Sequence, residues 1–145
     1  MSENHMYKTK LKWTKERKGI ESAEGLKEIE VATPPDFPFG HAGIWSPEHL
    51  YVASAEICLM TTFLAIAHNS KLNFIEYTSE AVGYMEKENS KYLITRIEIF
   101  PTVLLEDENL INKVERLLYK AEQHCLISNS IKTVITIFPH VITTD

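Results

Sequence analysis

Polar and apolar residues alternate strictly over residues 7–14, with Tyr7, Thr9, Leu11 and Trp13 on one face and Lys8, Lys10, Lys12 and Thr14 on the other. A period of two predicts a half-buried strand whose outer face carries lysines. The stretch ERKG interrupts it, residues 20–25 predict a short return strand ending in a turn at Glu24-Gly25, and alternation resumes over 26–32. Three short strands in a row predict an antiparallel meander. Residues 33–45, TPPDFPFGHAGIW, hold three prolines and two glycines and predict irregular backbone. The aromatics Phe37, Phe39 and Trp45 in that loop are either a plug over the core or the apolar wall of a binding site.

The periodicity then changes. Over 46–69 the chain reads SPEHLYVASAEICLMTTFLAIAHN. Ser46 is placed to cap orphan N–H groups, Pro47 supplies the preset φ of a first helical position, and Glu48 brings negative charge to the first turn. Beyond that signature the segment is apolar on nearly every side, which predicts a helix buried by its neighbours. At the twist of a helix, Tyr51, Ser54, Cys58, Thr61, Thr62 and Ala65 form a narrow stripe of small or semi-polar side chains. Such a stripe serves either a cleft or the close approach of another helix.

Residues 72–84 and 92–105 predict two further strands joined by the polar turn EKENSK, with Pro101 marking an edge or a bulge. Asp107 caps a second helix, in which Leu110, Ile111, Val114, Leu117, Leu118 and Ala121 recur at helical spacing and which runs on towards Cys125. Residues 133–138, TVITIF, close the chain as a strand. The predicted order is βββ-α-ββ-α-β in a single domain spanning 1–145, an α+β class.

Composition narrows the functional field. The net charge of −5 argues against a nucleic-acid partner, which requires a basic face. Glu48, Ser54, Glu56, Thr61 and Thr62 argue against a membrane span for the long helix, and MSENHMYKTK lacks the apolar core of a secretory signal, so a cytoplasmic location is expected. Two cysteines make no disulfide framework, and no zinc spacing is present. They are either unrelated core thiols or a redox pair.

For Cys58 to react near neutral pH it must ionise, and it sits too deep in its helix for that helix's own dipole to help. A basic side chain is therefore expected. Of the three arginines, Arg116 points away from Cys125 on the second helix and Arg96 shares a strand face with Glu98. Arg17, in the ERKG turn, is either free to project into a cleft or a solvated turn charge, and Lys15 and Lys18 are the alternative cations, without the permanent charge and paired donors of a guanidinium.

SPEHL, Cys58 ten residues after Glu48, and Cys125 in AEQHCLISNSIK together resemble the OsmC/Ohr family of osmotically inducible and organic hydroperoxide resistance proteins. The resemblance covers nearly the whole chain. It implies an intertwined homodimer with two buried cysteine-bearing helices and active sites at the subunit interface. It also implies a thiol peroxidase that uses neither metal nor flavin, reduces organic hydroperoxides and is regenerated by a dithiol such as a dihydrolipoyl group. Cys58 is similar to the family's peroxidatic cysteine, Cys125 to its resolving one, and Arg17 and Glu48 to its charged pair. Phe37, Phe39 and Met60 are then candidates for an apolar substrate entrance. The family usually has proline directly after the second cysteine, where this chain has Leu126, and the PDFPFGHAG loop differs too, so a divergent branch is implied. The competing expectation is a non-catalytic dimer that keeps the fold and binds a small apolar ligand in its interface cleft. A redox sensor without turnover ranks behind both.

One geometric expectation is independent of the resemblance. Ten residues of helix set Glu48 and Cys58 ~15 Å apart along the axis, on different faces. Both can serve one site only if the helix breaks between them or if the glutamate comes from a second chain.

Overall fold

A computed structural model describes residues 4–144. The chain falls into two compact units, one ending at Leu50 and one beginning at Tyr51.

The first unit is the predicted meander and its loop. Strands β1 (Lys10–Lys15), β2 (Lys18–Ser22) and β3 (Ile29–Ala32) pair antiparallel in the order β1-β2-β3, with a register shift between Trp13 and Lys15. Contrary to the half-buried expectation, β1 is exposed on both faces, with Leu11 and Trp13 66% and 71% exposed. The loop aromatics are not a core plug either: Phe39 is 77% and Trp45 52% exposed. The loop is built from tight turns, Phe37 N–H donating to Pro34 O and Gly40 N–H to Phe37 O. A Cβ at Gly40 would lie 1.9 Å from Pro34 O, so only glycine fits that turn.

Helix α1 (Pro47–Asn69) starts where the capping signature places it. The fully buried Ser46 accepts from His49 N–H at 3.0 Å, and its hydroxyl lies 2.7 Å from His49 Nδ1. The helix is continuous over its 23 residues, which removes the broken-helix route to uniting Glu48 with Cys58. By length and hydropathy alone it is apolar enough to cross a membrane. Its Ala55, Leu59, Phe63 and Ala67 stripe nevertheless packs into the chain's own core, at the four-residue spacing of one helix face. Burial on every side, the expectation from composition, is not what the single chain provides: Ile57 and Leu64 remain 54% and 39% exposed.

The second unit sets α1 and α2 (Ile111–Gln123) against a four-stranded sheet. The long hairpin of β4 (Glu76–Glu88) and β5 (Lys91–Leu105) is antiparallel; β6 (Val134–Ile137) and β7 (His140–Thr143) both pair with β5 in parallel. β5 is thus the central strand, its Ile97, Ile99, Val103 and Leu105 alternating into the core. This corrects the edge or bulge expected at Pro101. The proline is fully buried mid-strand, between the β6 register (Arg96–Ile99) and the β7 register (Thr102–Leu105). The bulge lies elsewhere, at Tyr84/Met85. α1 approaches the sheet closely at Gly83, where a Cβ would stand 2.5 Å from Val52 Cγ2. Tyr51 O–H donates to Thr133 Oγ1 at 2.6 Å and Thr133 donates to Ile94 O at 2.8 Å, tying the helix to the strands.

The α+β class and the predicted element order hold, with two additions after α2. A short helix, α3 (Leu126–Ser130), follows Cys125, and the final β stretch is divided at Phe138-Pro139 into β6 and β7. Asp107 caps as expected, accepting from Asn109 N–H at 2.9 Å, but the turn it caps is a 3-10 turn (Glu108–Leu110) leading into α2.

Candidate functional site

Two chain segments meet at the sulfurs. Cys58 lies three turns into α1, beside the buried stripe, and is half-buried. Cys125 is fully buried and does not lie within the second helix as expected. α2 ends at Gln123, and Cys125 is the N-cap of α3, with extended backbone (φ −70°, ψ 116°). That extended residue turns the chain back so that the start of α3 faces Cys58.

Burial by itself would push the Cys58 thiol up. It is outweighed by hydrogen bonds from the Cys125 thiol, the Ile127 N–H, the Thr62 hydroxyl and the Leu126 N–H, and the net result is a thiol held below the ordinary cysteine value. Thr62 Oγ1 lies 4.0 Å from Cys58 Sγ. Cys125 moves the other way. Burial pushes it up, its bond to Cys58 adds to that, and hydrogen bonds from Ser128 offset only part. Of the pair, Cys58 is the sulfur that ionises first and Cys125 the proton donor beside it.

A basic side chain was expected to be needed beside Cys58. Within this unit the lowering comes first from the Cys125 thiol, and the Ile127 N–H, the Thr62 hydroxyl and the Leu126 N–H add to it, the two N–H groups being donors that a helix start leaves unpaired. Sequence reasoning missed Leu126 and Ile127 because a five-residue helix carries too few positions to show a period. The only available signal was the serine- and asparagine-rich LISNSIK segment.

The inequality of the thiols predicts a pH-dependent selectivity. Near pH 7 iodoacetamide should alkylate Cys58 ahead of Cys125, because the lowered thiol is ionised to the greater extent there. The preference should fade only above the ordinary thiol range, where the raised Cys125 ionises too. Peptide mapping of labelled protein reads this directly, and equal labelling at pH 7 would contradict the assignment.

The other candidate residues, Met60 apart, lie in the first unit. Arg17 is exposed in the β1–β2 turn, with its guanidinium carbon 5.3 Å from the Phe39 ring centroid. It lines a cleft of about 530 Å³ with Leu11, Trp13, Val31, Pro47 and Leu50. Phe37 is half-buried in the same loop. Glu48 has a buried Oε1 without a hydrogen-bond partner among the described residues. Met60, two residues after Cys58, is turned by about 200° around α1 and faces elsewhere. The structure therefore brings together Cys58 with Cys125, and Arg17 with Phe39. Arg96 is engaged in its own sheet, 3.7 Å from Glu86 and stacked 3.8 Å over Tyr84. Among the described residues no group of three His, Cys, Asp or Glu side chains is arranged to hold a metal ion.

A family model described as OsmC-like protein matches residues 40–138. The chain belongs to the OsmC-like protein family. Solved structures agree on the fold of this OsmC-like chain. An OsmC-like protein of unknown function from Vibrio cholerae superposes with a TM-score of 0.85 at 23% identity, covering 96% of this chain and 99% of that one. An organic hydroperoxide resistance protein from Elizabethkingia anophelis gives 0.77 at 22% identity, covering 99% and 100%. An organic hydroperoxide resistance protein OsmC from Legionella pneumophila gives 0.71 at 18% identity, again covering 99% and 100%. No curated protein matches the OsmC-like chain significantly in sequence.

Proposed function

We propose that this OsmC-like protein is a cysteine-based peroxidase that reduces organic hydroperoxides, and that its two units work as one domain within a cytoplasmic homodimer. The observation that carries the reading is the contact between a sulfur of lowered proton affinity and a second thiol of raised proton affinity. Two of the solved neighbours bear organic hydroperoxide resistance in their names, which supports the same substrate class.

In the proposed cycle the Cys58 thiolate attacks the distal oxygen of ROOH. The O–O bond breaks, RO⁻ leaves and is protonated to the alcohol, and Cys58 becomes a sulfenic acid. Cys125 then attacks the Cys58 sulfur, forming the disulfide and releasing water. A dithiol such as a dihydrolipoyl group reduces the disulfide by two successive exchanges, returning both thiols.

Arg17 is the proposed cationic partner and Glu48 its carboxylate. Since α1 is unbroken, the Glu48 serving a given Cys58 comes from the second copy. The exposed Ile57 and Leu64 flank of α1 and the exposed face of β1 support such an assembly, being apolar surface that a second copy can cover. Phe37, Phe39 and Met60 supply the apolar entrance in that assembly.

The test is a coupled assay with dihydrolipoamide, comparing an alkyl hydroperoxide with hydrogen peroxide. Faster turnover of the alkyl substrate is expected. Folded, dimeric protein with both thiols reduced that consumes neither oxidant would favour the ligand-binding alternative instead.

A further inference from the structure

The two sulfurs of the proposed disulfide differ in access, and the fold sets the difference. Cys125 has no exposed surface where α2 gives way to α3, and its own chain makes that seal. A second copy can cover this position further but cannot open it. Cys58 is half-buried on α1, with the exposed Ile57 before it and the exposed Thr61 one turn on. A peroxide that reacts at Cys58 must also find an open path to that sulfur in the assembly.

Thiol–disulfide exchange is an in-line displacement, in which the incoming sulfur approaches along the S–S axis, opposite the sulfur that leaves. Attack on Cys125 would have to pass through the chain that buries it. Attack on Cys58 needs only the path the peroxide has already used. Leaving-group strength pulls the other way: Cys58, the thiol held low, is the better leaving group and by itself would direct attack to Cys125. Access decides, because a leaving group only scales a rate, whereas a sealed sulfur does not meet a molecule from solution.

We propose that the external dithiol attacks the Cys58 sulfur and is held there as a mixed disulfide, an assignment that rests on the peroxidase reading for the Cys58–Cys125 disulfide itself. One thiol of the reductant, as the thiolate, bonds to Cys58 Sγ. The bond to Cys125 breaks, and Cys125 keeps the electron pair and takes the proton that the reductant lost. The second thiol then ionises and attacks the reductant's own sulfur. The bond to Cys58 breaks, Cys58 leaves as the thiolate, and the reductant closes to a cyclic disulfide. The poorer leaving group therefore departs first and the better one second. This order favours a dithiol over a monothiol. Cys125, freed beside Cys58, re-attacks the mixed disulfide and expels a monothiol, whereas a dithiol closes its ring and departs.

The disulfide is made in the full-length protein with stoichiometric diamide, which couples thiols without a peroxide site. Mercaptoethanol is added, exchange is stopped in acid within seconds, and peptic peptides are mapped. Mercaptoethanol on Cys58 with a free Cys125 should outnumber the reverse adduct by at least about tenfold. A second measurement separates access from leaving ability, and decides alone if recapture leaves the adduct too scarce to map. A nitrothiobenzoate group is placed on Cys58 in Cys125→Ser and on Cys125 in Cys58→Ser, so that the same group departs in both, and its release by dihydrolipoamide is timed. Release from Cys58 should be at least about tenfold faster, and refusal of the folded Cys58→Ser protein to load at Cys125 is the same result in stronger form. Mercaptoethanol mainly on Cys125, or equal release from the two positions, would overturn the assignment. Attack directed to Cys58 in a protein inert towards alkyl hydroperoxides would uphold it and sink the peroxidase reading.

Discussion

Cys58→Ser should lose hydroperoxide turnover by at least about a thousandfold while keeping its fold. A thiol held below the ordinary cysteine value by four donors reaches the thiolate more readily than a free cysteine, whereas a serine hydroxyl in the same place stays protonated. Only sulfur, moreover, accepts the peroxide oxygen to give a species that a neighbouring thiol can reduce. The exchange of S for O is nearly isosteric, so secondary structure and thermal midpoint should change little. Cys125→Ser separates the two roles. It should still react once with an alkyl hydroperoxide, yield a dimedone adduct on Cys58 and, under excess oxidant, pass on to the sulfinic acid. Full dithiol-dependent cycling in Cys125→Ser would remove Cys125 from the mechanism. Turnover surviving in Cys58→Ser would remove sulfur chemistry at this position altogether.

Phe63→Ala should be the most damaging core change. Phe63 is fully buried on the α1 stripe, its ring 5.6 Å from the ring centroids of both Phe74 and Tyr77. Truncation loses the transfer energy of the ring and leaves a cavity that a helix pinned at Gly83 and through Tyr51–Thr133 cannot collapse to fill. The cost should be about 3–5 kcal/mol, against a total of roughly 5–15 kcal/mol for ordinary domains. In a chain of 145 residues that corresponds to a fall of roughly 6–20 °C in thermal midpoint. The exposed Leu64, the next residue of the same helix, is the control: alanine there should cost under about 1 kcal/mol in the isolated chain. Differential scanning calorimetry distinguishes the two, and equal effects would mean that the buried stripe is misassigned.

What the sequence revealed depended on how many residues each physical signal spans. α1 was legible to the residue because a capping serine, a proline and a long apolar run agree on its start. The hairpin and α2 were legible in kind because each repeats its period several times. α3 was not, since five residues do not repeat a helical period, and the thiolate donors were hidden with it. Pro101 misled for a different reason. The rule that proline avoids central strands assumes one continuous neighbour on each side, and here one side is shared by β6 and β7 with a gap between them. Exposure of β1 and of the Ile57 flank was invisible because alternation reports which face is apolar, not whether this same chain covers it. The sulfur pair is the reverse case. No spacing in the sequence requires Cys58 and Cys125 to meet; only the resemblance implied it, and the geometry of α1 and α3 brings it about.

The placement of β5 bears on how the polypeptide matures during synthesis. One flank of β5 is satisfied by β4, which precedes it immediately, but the other waits for the last strands of the chain. Until those C-terminal strands leave the ribosome, a nascent molecule carries an open, oily backbone edge able to template pairing with another chain. Closing it joins segments about forty residues apart in sequence, a long-range step of the kind that slows folding. Loss of the final dozen residues would therefore turn the middle of the sheet into a sticky rim, and aggregation, rather than a smaller working protein, is the natural fate of such a fragment.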